Sequence, residues 1–305
     1  MPLAVVAFLA TAALAQAGAS VPLVWVDDLV GDFDDPTNWS TSMVPGTSDV
    51  IQFGIAPGTT DATLVIRPNG SHQVQSLEVY SGDAVFSDEF RGPGQVITTD
   101  VLYIAPGASV IAQSADLHVL SAATIQGSLY LEGVVFESTE SPLLVVPGVV
   151  YVNAHSQWNH SGTVTFDPTA TLRVGIDASA PSHGALVALA SVNTGGTLEI
   201  VGTGVPTPDQ KFRIIEGFAV NNTFDTTMQI GFPDRVAKFY YNAQSLDVAF
   251  NSSQPGDADG DLDVDLDDLQ IVLFNFASDA AAGDFNADGI VDLDDLQVLL
   301  FWFGS

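Results

Sequence analysis

The sequence predicts a mainly β protein, a β-solenoid with a β-sandwich as the alternative, followed by a small all-α module at the C-terminus. Three observations predict this architecture. Short β-rich runs separated by turn residues fill positions 21 to 250, and leucines recur within them at gaps of about two dozen residues or multiples of that gap. After residue 256, an Asp-rich loop that leads into a helical pattern occurs twice.

The composition limits the possible partners. The 305 residues carry 7 Lys and Arg against 37 Asp and Glu, which gives a formal net charge of -30. Such a surface repels phosphate backbones and anionic lipid headgroups, so we expect no nucleic acid as a partner and expect multivalent cations instead. The absence of cysteine excludes disulfide frameworks, thiolate metal sites and cysteine nucleophiles.

The N-terminus has the pattern of an export signal. Residues 3 to 15 form an apolar run interrupted only by Thr11, and Ala13, Ala15 and Ala17 offer the small residues of a cleavage site. This predicts a secretory signal peptide over residues 1 to 17. A helix of this length rises only about 20 Å, short of the roughly 30 Å hydrocarbon core, so a membrane span or a buried helix is less favoured. We therefore expect bacterial-type export, no membrane span in the mature chain, and a secreted or cell-surface location.

Residues 18 to 250 are expected to form the β domain. Apolar and polar residues alternate in several of its runs, as in half-buried strands, and turn residues follow them. The recurring leucines suggest the rungs of a solenoid without a strict repeat. They are Leu77, Leu102, Leu129, Leu172 and Leu198. A dozen or so short strands at this turn density would also suit a β-sandwich.

Two tryptophans stand before the first strands. Trp25 is followed by residues 34 to 40, which read Asp-Asp-Pro-Thr-Asn-Trp-Ser, then by Pro45 and by an Asp-Val-Ile run at 49 to 51. This arrangement resembles the opening of many secreted bacterial β-solenoid and autotransporter-passenger-like domains. Trp25 and Trp39 would then cover the open first rung, because a solenoid must hide its edge. Stacking of an exposed tryptophan on sugar rings is the alternative.

The β domain offers no evident catalytic set. His155, Trp158 and His160 could hold a metal or stack on a sugar, but a polar solenoid turn with a covering tryptophan is the favoured interpretation. The acidic segment 27 to 35 could bind a further calcium, although a solvated loop is preferred. Carboxylates are plentiful and therefore discriminate little, whereas bases are few and scattered along the sequence. The bases are Arg67, Arg91, Arg173, Lys211, Arg213, Arg235 and Lys238.

The strongest pattern lies after a polar linker at residues 251 to 256. From Pro255 onward there are 13 Asp and no Lys or Arg. Two loops begin at Asp257 and Asp284, 27 residues apart, and place side-chain oxygens at positions 1, 3, 5, 9 and 12, with a backbone carbonyl at position 7. This is the ligand spacing of an EF-hand-like loop, and its hard oxygen ligands favour calcium over magnesium. The sequence therefore predicts two calcium sites in a module spanning residues 257 to 305.

The two loops differ at position 6, where the sharp turn requires glycine. The second loop has Gly289 there, but the first has Leu262, so we expect the first loop to be strained or weaker. Position 12 is Asp in both loops, shorter than the Glu of an EF-hand. The predicted ligands are Asp257, Asp259, Asp261, Asp263, Asp265 and Asp268 in the first loop, and Asp284, Asn286, Asp288, Ile290, Asp292 and Asp295 in the second.

Each loop leads into a helical pattern. One apolar stripe is expected to close a small core, and the remaining apolar residues are surplus surface that docking against a partner or against the solenoid would bury. The stripe comprises Leu269, Val272, Leu273 and Phe276, with Leu296, Leu299, Leu300 and Phe303. The surplus comprises Ile271, Phe274, Val298, Phe301 and Trp302.

The heptad Val-Asp-Leu-Asp-Asp-Leu-Gln occurs identically at 264 to 270 and at 291 to 297. Two tandem loop-helix units of this kind resemble a type I dockerin module. The resemblance implies a cohesin-like partner domain, often in extracellular or cell-surface assemblies that degrade polysaccharides. It also implies partner contacts at loop positions 10 and 11, which are often small hydroxylic pairs but here are Leu266-Asp267 and Leu293-Asp294. These four residues and the surplus apolar residues are the predicted partner-binding set.

Three functions remain open at this point. The favoured hypothesis is a secreted, non-catalytic β protein that a calcium-dependent dockerin-like module attaches to a larger assembly. The alternative is a polysaccharide hydrolase or lyase of β-helix type, because dockerins commonly accompany such enzymes. A third possibility is carbohydrate binding without cleavage, through Trp39 or Trp158.

Overall fold

A computed structural model describes residues 21–26, 29–55, 61–87, 95–113, 115–139, 143–146, 148–208, 210–232 and 234–305 of the chain. The predicted signal peptide, Asp27 and Asp28 lie outside these ranges. The protein is mainly β, with 48% strand and 8% helix, and forms a β-solenoid of about 7 turns that ends in two small helices. The predicted β-solenoid is therefore confirmed.

Within the described ranges, the strands form two sheets that run along the solenoid. The first contains β1 (Leu23–Val24), β3 (Val50–Phe53), β5 (His72–Val79), β7 (Gln95–Ile104), β9 (Ala115–Ile125), β11 (Val135–Ser138), β12 (Leu143–Val146), β14 (Gln157–His160), β15 (Thr163–Phe166), β18 (Ala185–Ala188), β19 (Ser191–Asn193), β21 (Lys211–Glu216), β22 (Ala219–Asn221), β24 (Arg235–Tyr241) and β25 (Ser245–Ser252). The second contains β2 (Val30–Asp32), β4 (Thr63–Arg67), β6 (Asp83–Phe86), β8 (Ser109–Ala112), β10 (Ser128–Leu131), β13 (Val149–Val152), β16 (Thr171–Asp177), β17 (Ser182–His183), β20 (Thr197–Thr203) and β23 (Thr226–Ile230).

Successive rungs stack in parallel register, which distinguishes the solenoid from a sandwich of antiparallel sheets. In the second sheet the in-register column is Leu64, Ala84, Val110, Leu129, Val150, Leu172 and Leu198. All seven side chains are buried. Since side chains alternate along a strand, every second residue of each run enters the core, which explains the alternation in the sequence. The recurring leucines are rung residues, but Leu77 and Leu102 pair in the first sheet and the other three lie in the second.

Glycine at the corners lets neighbouring rungs approach. Gly54 and Gly82 have φ of +74° and +69°, in the left-handed region that favours glycine. A Cβ on Gly54 would lie 2.0 Å from the Ser81 carbonyl oxygen, and one on Gly82 would lie 2.2 Å from that of Ala62. Glycine at these corners therefore allows the backbones of adjacent rungs to approach as closely as the pairing of their strands requires.

Aromatic residues close the first rung, as predicted. Trp25 and Trp39 are buried and pack edge to face, with ring centroids 5.1 Å apart. Phe33 packs on Trp39 at 5.2 Å, and Trp39 Nε1 donates to the Phe33 carbonyl at 2.9 Å. Because both indoles are fully covered, they cap the core and offer no face to a sugar ring.

The other end of the solenoid finishes in an antiparallel arrangement. Strand β25 pairs antiparallel with both β21 and β24. Phe250 faces inward between Phe212 and Phe232, with centroid distances of 6.1 and 4.4 Å. This hairpin covers the last parallel rung. Strand β25 continues to Ser252, so the first two residues of the predicted linker lie in the last strand.

Two short helices follow, α1 (Leu266–Phe274) and α2 (Leu293–Trp302). Their shared core contains Val264, Val272, Val291 and Leu299, with Leu269 and Leu296 packed against it. The predicted stripe is therefore wrong in part, because Leu273, Phe276, Leu300 and Phe303 are exposed. The missing core residues are Val264 and Val291, which occupy position 8 of each loop and bring the loops themselves into the core.

The module is built as a reciprocal pair. The segment after α1 pairs with the second loop, since Ala277 N donates to Val291 O at 2.8 Å. The segment after α2 pairs with the first loop, since Gly304 N donates to Val264 O at 2.8 Å. Each loop-helix unit therefore holds the other. In the described part of the chain, no helix has the length and apolarity needed to cross a membrane.

Candidate metal centre

Each predicted loop ends in a helix N-cap, and the two N-caps are of the same type. Asp265 and Asp292 are the N-caps of α1 and α2, and each accepts a bond from the backbone two residues later. Asp268 and Asp295, at loop position 12, complete a reciprocal capping box in each helix. Local sequence therefore fixes positions 9 and 12 of each loop relative to one another.

The position-12 carboxylate also ties the start of its loop to the helix. Asp268 Oδ1 accepts from the backbone N–H groups of residues 258 and 259, at 2.6 and 3.2 Å, and Oδ2 accepts from Asp265 at 2.8 Å. Asp295 repeats the pattern with distances of 2.7, 3.2 and 2.9 Å. Both side chains are buried. The two loops thus share one backbone geometry, as the duplicated sequence predicts.

Positions 3 and 5 form successive Asx turns. Asp259 Oδ1 accepts from Asp261 N at 3.1 Å, and Asp261 Oδ1 accepts from Asp263 N at 3.0 Å. In the second loop, Asn286 Oδ1 accepts from Asp288 N at 2.8 Å and Asp288 Oδ1 accepts from Ile290 N at 3.0 Å. These turns fold each loop back toward the residue with which it begins.

The loops differ at the positions that the sequence indicates. Leu262, at position 6 of the first loop, has φ +76°, and Gly289 in the second has φ +93°. A side chain in this left-handed region costs roughly 1–2 kcal/mol, so the first loop carries the strain expected of it. Both backbone N–H groups donate to the position-1 carboxylate, Leu262 to Asp257 Oδ2 at 2.8 Å and Gly289 to Asp284 Oδ2 at 3.0 Å.

Carboxylates converge in the first loop. Oxygens of Asp257, Asp259 and Asp261 lie within 4.8 Å of one another, as do those of a second group, Asp263, Asp265 and Asp268. The ligand spacing predicts a role only for the backbone carbonyl of Asp263, whereas the structure also places its carboxylate near those of Asp265 and Asp268. Such oxygen-rich clusters suit a hard cation.

The second loop offers a buried oxygen without a partner. Asp284 is 1% exposed, and its Oδ1 has no hydrogen-bond partner among the described residues. A buried ionised oxygen left unpaired costs free energy, which a bound cation would relieve. The donor set and this orphaned oxygen both fit a calcium ion.

The electrostatics are those of anionic groups forced together. Asp261 raises the pKa of Asp263, and burial followed by neighbouring carboxylates raises the pKa of Asp259. Burial likewise raises the pKa of Asp284. A raised carboxyl pKa shows that the ionised form is disfavoured here, and a divalent cation would reverse that preference.

Three basic residues of the solenoid donate hydrogen bonds to the acidic module, an arrangement that the sequence did not predict. Lys211 Nζ donates to Asp279 O, and Lys238 Nζ donates to Phe285 O at 2.8 Å. Arg235 donates to Gly260 O at 3.2 Å. These bases look scattered in the sequence, but strands β21 and β24 bring them to the end of the solenoid that contacts the module. The sequence does give one indication of this arrangement, because four of its seven basic residues lie between residues 211 and 238.

The predicted partner-binding residues form an open surface on the helices. Phe274 and Phe301, at equivalent places in α1 and α2, are 92% and 80% exposed. Phe301 packs edge to face on the partly exposed Trp302, with centroids 5.5 Å apart. The others divide into exposed residues, Leu266, Asp267, Leu293 and Asp294, and half-buried residues, Ile271 and Val298.

Among the described residues, the other sequence candidates are not brought together into a second site. Trp158 is buried between Phe136 and Phe166, so it cannot stack on a sugar. His160 is buried against Ser138, whereas His155 is exposed in a turn. In the acidic segment 27 to 35, Asp32 pairs with Arg67 at 2.7 Å and Asp35 caps a short 3-10 turn. These residues are explained by the fold.

Compared with known protein families, characterised proteins and solved structures, the chain matches none.

Proposed function

We propose that the C-terminal module binds two calcium ions and attaches the β-solenoid, as a secreted and non-catalytic protein, to a cohesin-like partner domain. The observation that carries the proposal is a repetition: the ligand positions, the Asx turns and the hydrogen bonds of the position-12 carboxylate recur in both loops. The two loops also share one small core. Capping alone would need only the Asp pair at each helix start. The oxygens at positions 1, 3 and 5 take no part in helix capping, although they accept backbone hydrogen bonds within the loops.

A calcium titration of the full chain tests the first half of the proposal. Two loop variants make it specific: Asp259→Ala with Asp261→Ala in the first loop, and Asn286→Ala with Asp288→Ala in the second. These positions are matched and exposed in both loops. Isothermal titration should give two sites in the wild type and one in each double variant, with magnesium binding far more weakly. Wild-type protein that takes up no calcium would refute the proposal.

The exposed apolar surface supports the second half. Phe274 and Phe301 stand at repeated positions of the module, and the same two helices also expose Leu273, Leu300 and Trp302. Exposed apolar residues that cluster in this way, unlike scattered ones, mark an interaction surface. Such aromatics, surrounded by acidic residues, fit a partner with apolar pockets and a basic rim. The alternative of a polysaccharide-active enzyme has no specific observation in its favour among the described residues.

Binding to a panel of immobilised cohesin domains, with calcium or with chelator, tests this half. We expect calcium-dependent binding that Phe274→Ser with Phe301→Ser abolishes. Phe218→Ser is the matched control, because Phe218 is 74% exposed but lies on the solenoid. Binding that is indifferent to calcium, or that the Phe218 variant weakens equally, would contradict the proposal, as would the absence of any binding. Analysis of the N-terminus of exported protein, expected near residue 18, tests secretion.

A further inference from the structure

The last hairpin of the solenoid, β24 and β25, lies directly against the start of the second loop. Asn251 Nδ2 donates to Asp284 O at 2.9 Å, and Lys238 Nζ donates to Phe285 O at 2.8 Å. These bonds fix the backbone at loop positions 1 and 2. Among the described residues, the corresponding positions of the first loop receive no such bond, and Arg235 reaches that loop only at position 4, through Gly260 O. The solenoid therefore supports the two loops at different positions, the second at its start and the first at position 4.

Tyr240 brings a side-chain group to the same place. Its ring packs with Ala249 and Ala281 in a buried cluster between the solenoid and the module. In the described structure, neither the Tyr240 hydroxyl nor Asp284 Oδ1 has a hydrogen-bond partner of standard geometry, although both are buried. Both residues meet at Ala281, since the Tyr240 ring packs on it and Asp284 N donates to its carbonyl oxygen at 3.3 Å.

The first loop satisfies the equivalent oxygen internally. Asp257 Oδ1 accepts from Gly260 N at 2.6 Å, so both of its carboxylate oxygens have backbone donors. In Asp284, Oδ2 accepts from Gly289 N, whereas the buried Oδ1 has no hydrogen-bond partner among the described residues. A carboxylate that ligates a metal is commonly oriented by an outer hydrogen-bond donor, and that donor raises metal affinity by fixing the ligand. The Tyr240 hydroxyl, buried at this junction without a partner of its own among the described residues, can supply such a donor.

We propose that Tyr240 is a positioning residue of the second calcium site. Its hydroxyl donates to Asp284 and fixes the carboxylate for the ion, so the solenoid hairpin completes the second loop but not the first. This inference rests on the calcium binding proposed above. Loss of an outer donor typically lowers metal affinity about 10- to 100-fold.

Calcium affinities of full-length variants, measured by competition with a chromophoric chelator, test the role of Tyr240. Tyr240→Phe removes only the hydroxyl and is made in two backgrounds. One has the second loop intact, through Asp259→Ala with Asp261→Ala, and the other has the first loop intact, through Asn286→Ala with Asp288→Ala. We expect Tyr240→Phe to weaken calcium binding at least about 10-fold in the first background and to leave it unchanged in the second. Tyr130→Phe, a hydroxyl deletion on a distant rung, should change neither.

The outcomes separate the two proposals. Equal weakening in both backgrounds would reveal a general loss of module stability and would overturn the role of Tyr240, as would no change in either. In both cases two ions would still bind to the wild type, and the proposed function would stand. Wild-type protein without calcium affinity would refute the proposed function itself. Circular dichroism of each variant verifies that the helices are intact, and Tyr240→Leu, which has no donor and is smaller than tyrosine, provides a second variant for the same comparison.

Discussion

Replacement of Gly289 by alanine isolates the backbone requirement of the second loop. Gly289 has φ +93°, and a Cβ added there would meet no heavy atom within 4 Å among the described residues. The added methyl therefore encounters no steric clash with neighbours, and only the left-handed conformation is penalised. That penalty is roughly 1–2 kcal/mol, which corresponds to a factor of about 5 to 30 in the opening equilibrium of the loop.

Hydrogen exchange of the full chain in chelator gives the local free energy directly. Gly289→Ala should accelerate exchange of the protected amides in residues 284 to 305 by about 5- to 30-fold. Gly133→Ala is the matched control, because Gly133 has φ +75° and equally open surroundings but lies in the solenoid. It should accelerate exchange near its own rung only. Unchanged exchange in the Gly289 variant would refute the assignment of a left-handed turn, and acceleration by Gly133→Ala in the module would refute its locality.

Two further predictions concern the solenoid. Trp158→Ala should destabilise the solenoid by about 3–5 kcal/mol, because removal of a buried indole packed on Phe136 and Phe166 leaves a cavity. Calorimetry should then show an unfolding midpoint lower by roughly 10 °C. Trp302→Ala, which alters a partly exposed side chain, should shift the midpoint little, and equal shifts would contradict the packing described. Burial lowers the pKa of His160, so the unfolded chain takes up a proton at a higher pH than the folded chain does. The stability contributed by the neutral side chain is fully present above the unfolded pKa of about 6.5 and is lost as the pH falls below it, by up to about 1.4 kcal/mol per pH unit. Denaturant unfolding between pH 7 and 5 should show a flatter profile for His160→Asn, and an unchanged slope would exclude His160 as the cause.

The local pattern of the sequence was sufficient for several features. Alternation of apolar and polar residues predicted strands that bury every second side chain, and the recurring leucines marked true rung positions. The two tryptophans near the start were correctly predicted as a cap, because a large apolar residue beside a polar turn has few other ways to leave water. The strained position of Leu262 could also be predicted, since the turn at position 6 has a fixed backbone requirement.

Helix periodicity was less informative about the small module. It placed Leu273, Phe276, Leu300 and Phe303 in the core, whereas the structure exposes them. A helix of 9 or 10 residues in a two-helix module has room to bury only about one residue per turn. The rest of the core comes from Val264 and Val291, which a helical pattern does not include because they lie in the loops.

The sequence by itself determined the alternation of the strands and the order of oxygen ligands in each loop, because these depend on residues within a dozen positions of one another. It favoured a solenoid through leucines about two dozen residues apart, and only the parallel register of the rungs excluded the β-sandwich. Only the tertiary structure decided which leucines share a sheet and where the bases converge. It also decided that Asn251 donates to Asp284 O and that Tyr240 packs on Ala281, contacts between residues more than 30 positions apart in the chain. Contacts of this kind depend on how the last hairpin turns and on which face of the module meets it, and no local periodicity encodes that geometry.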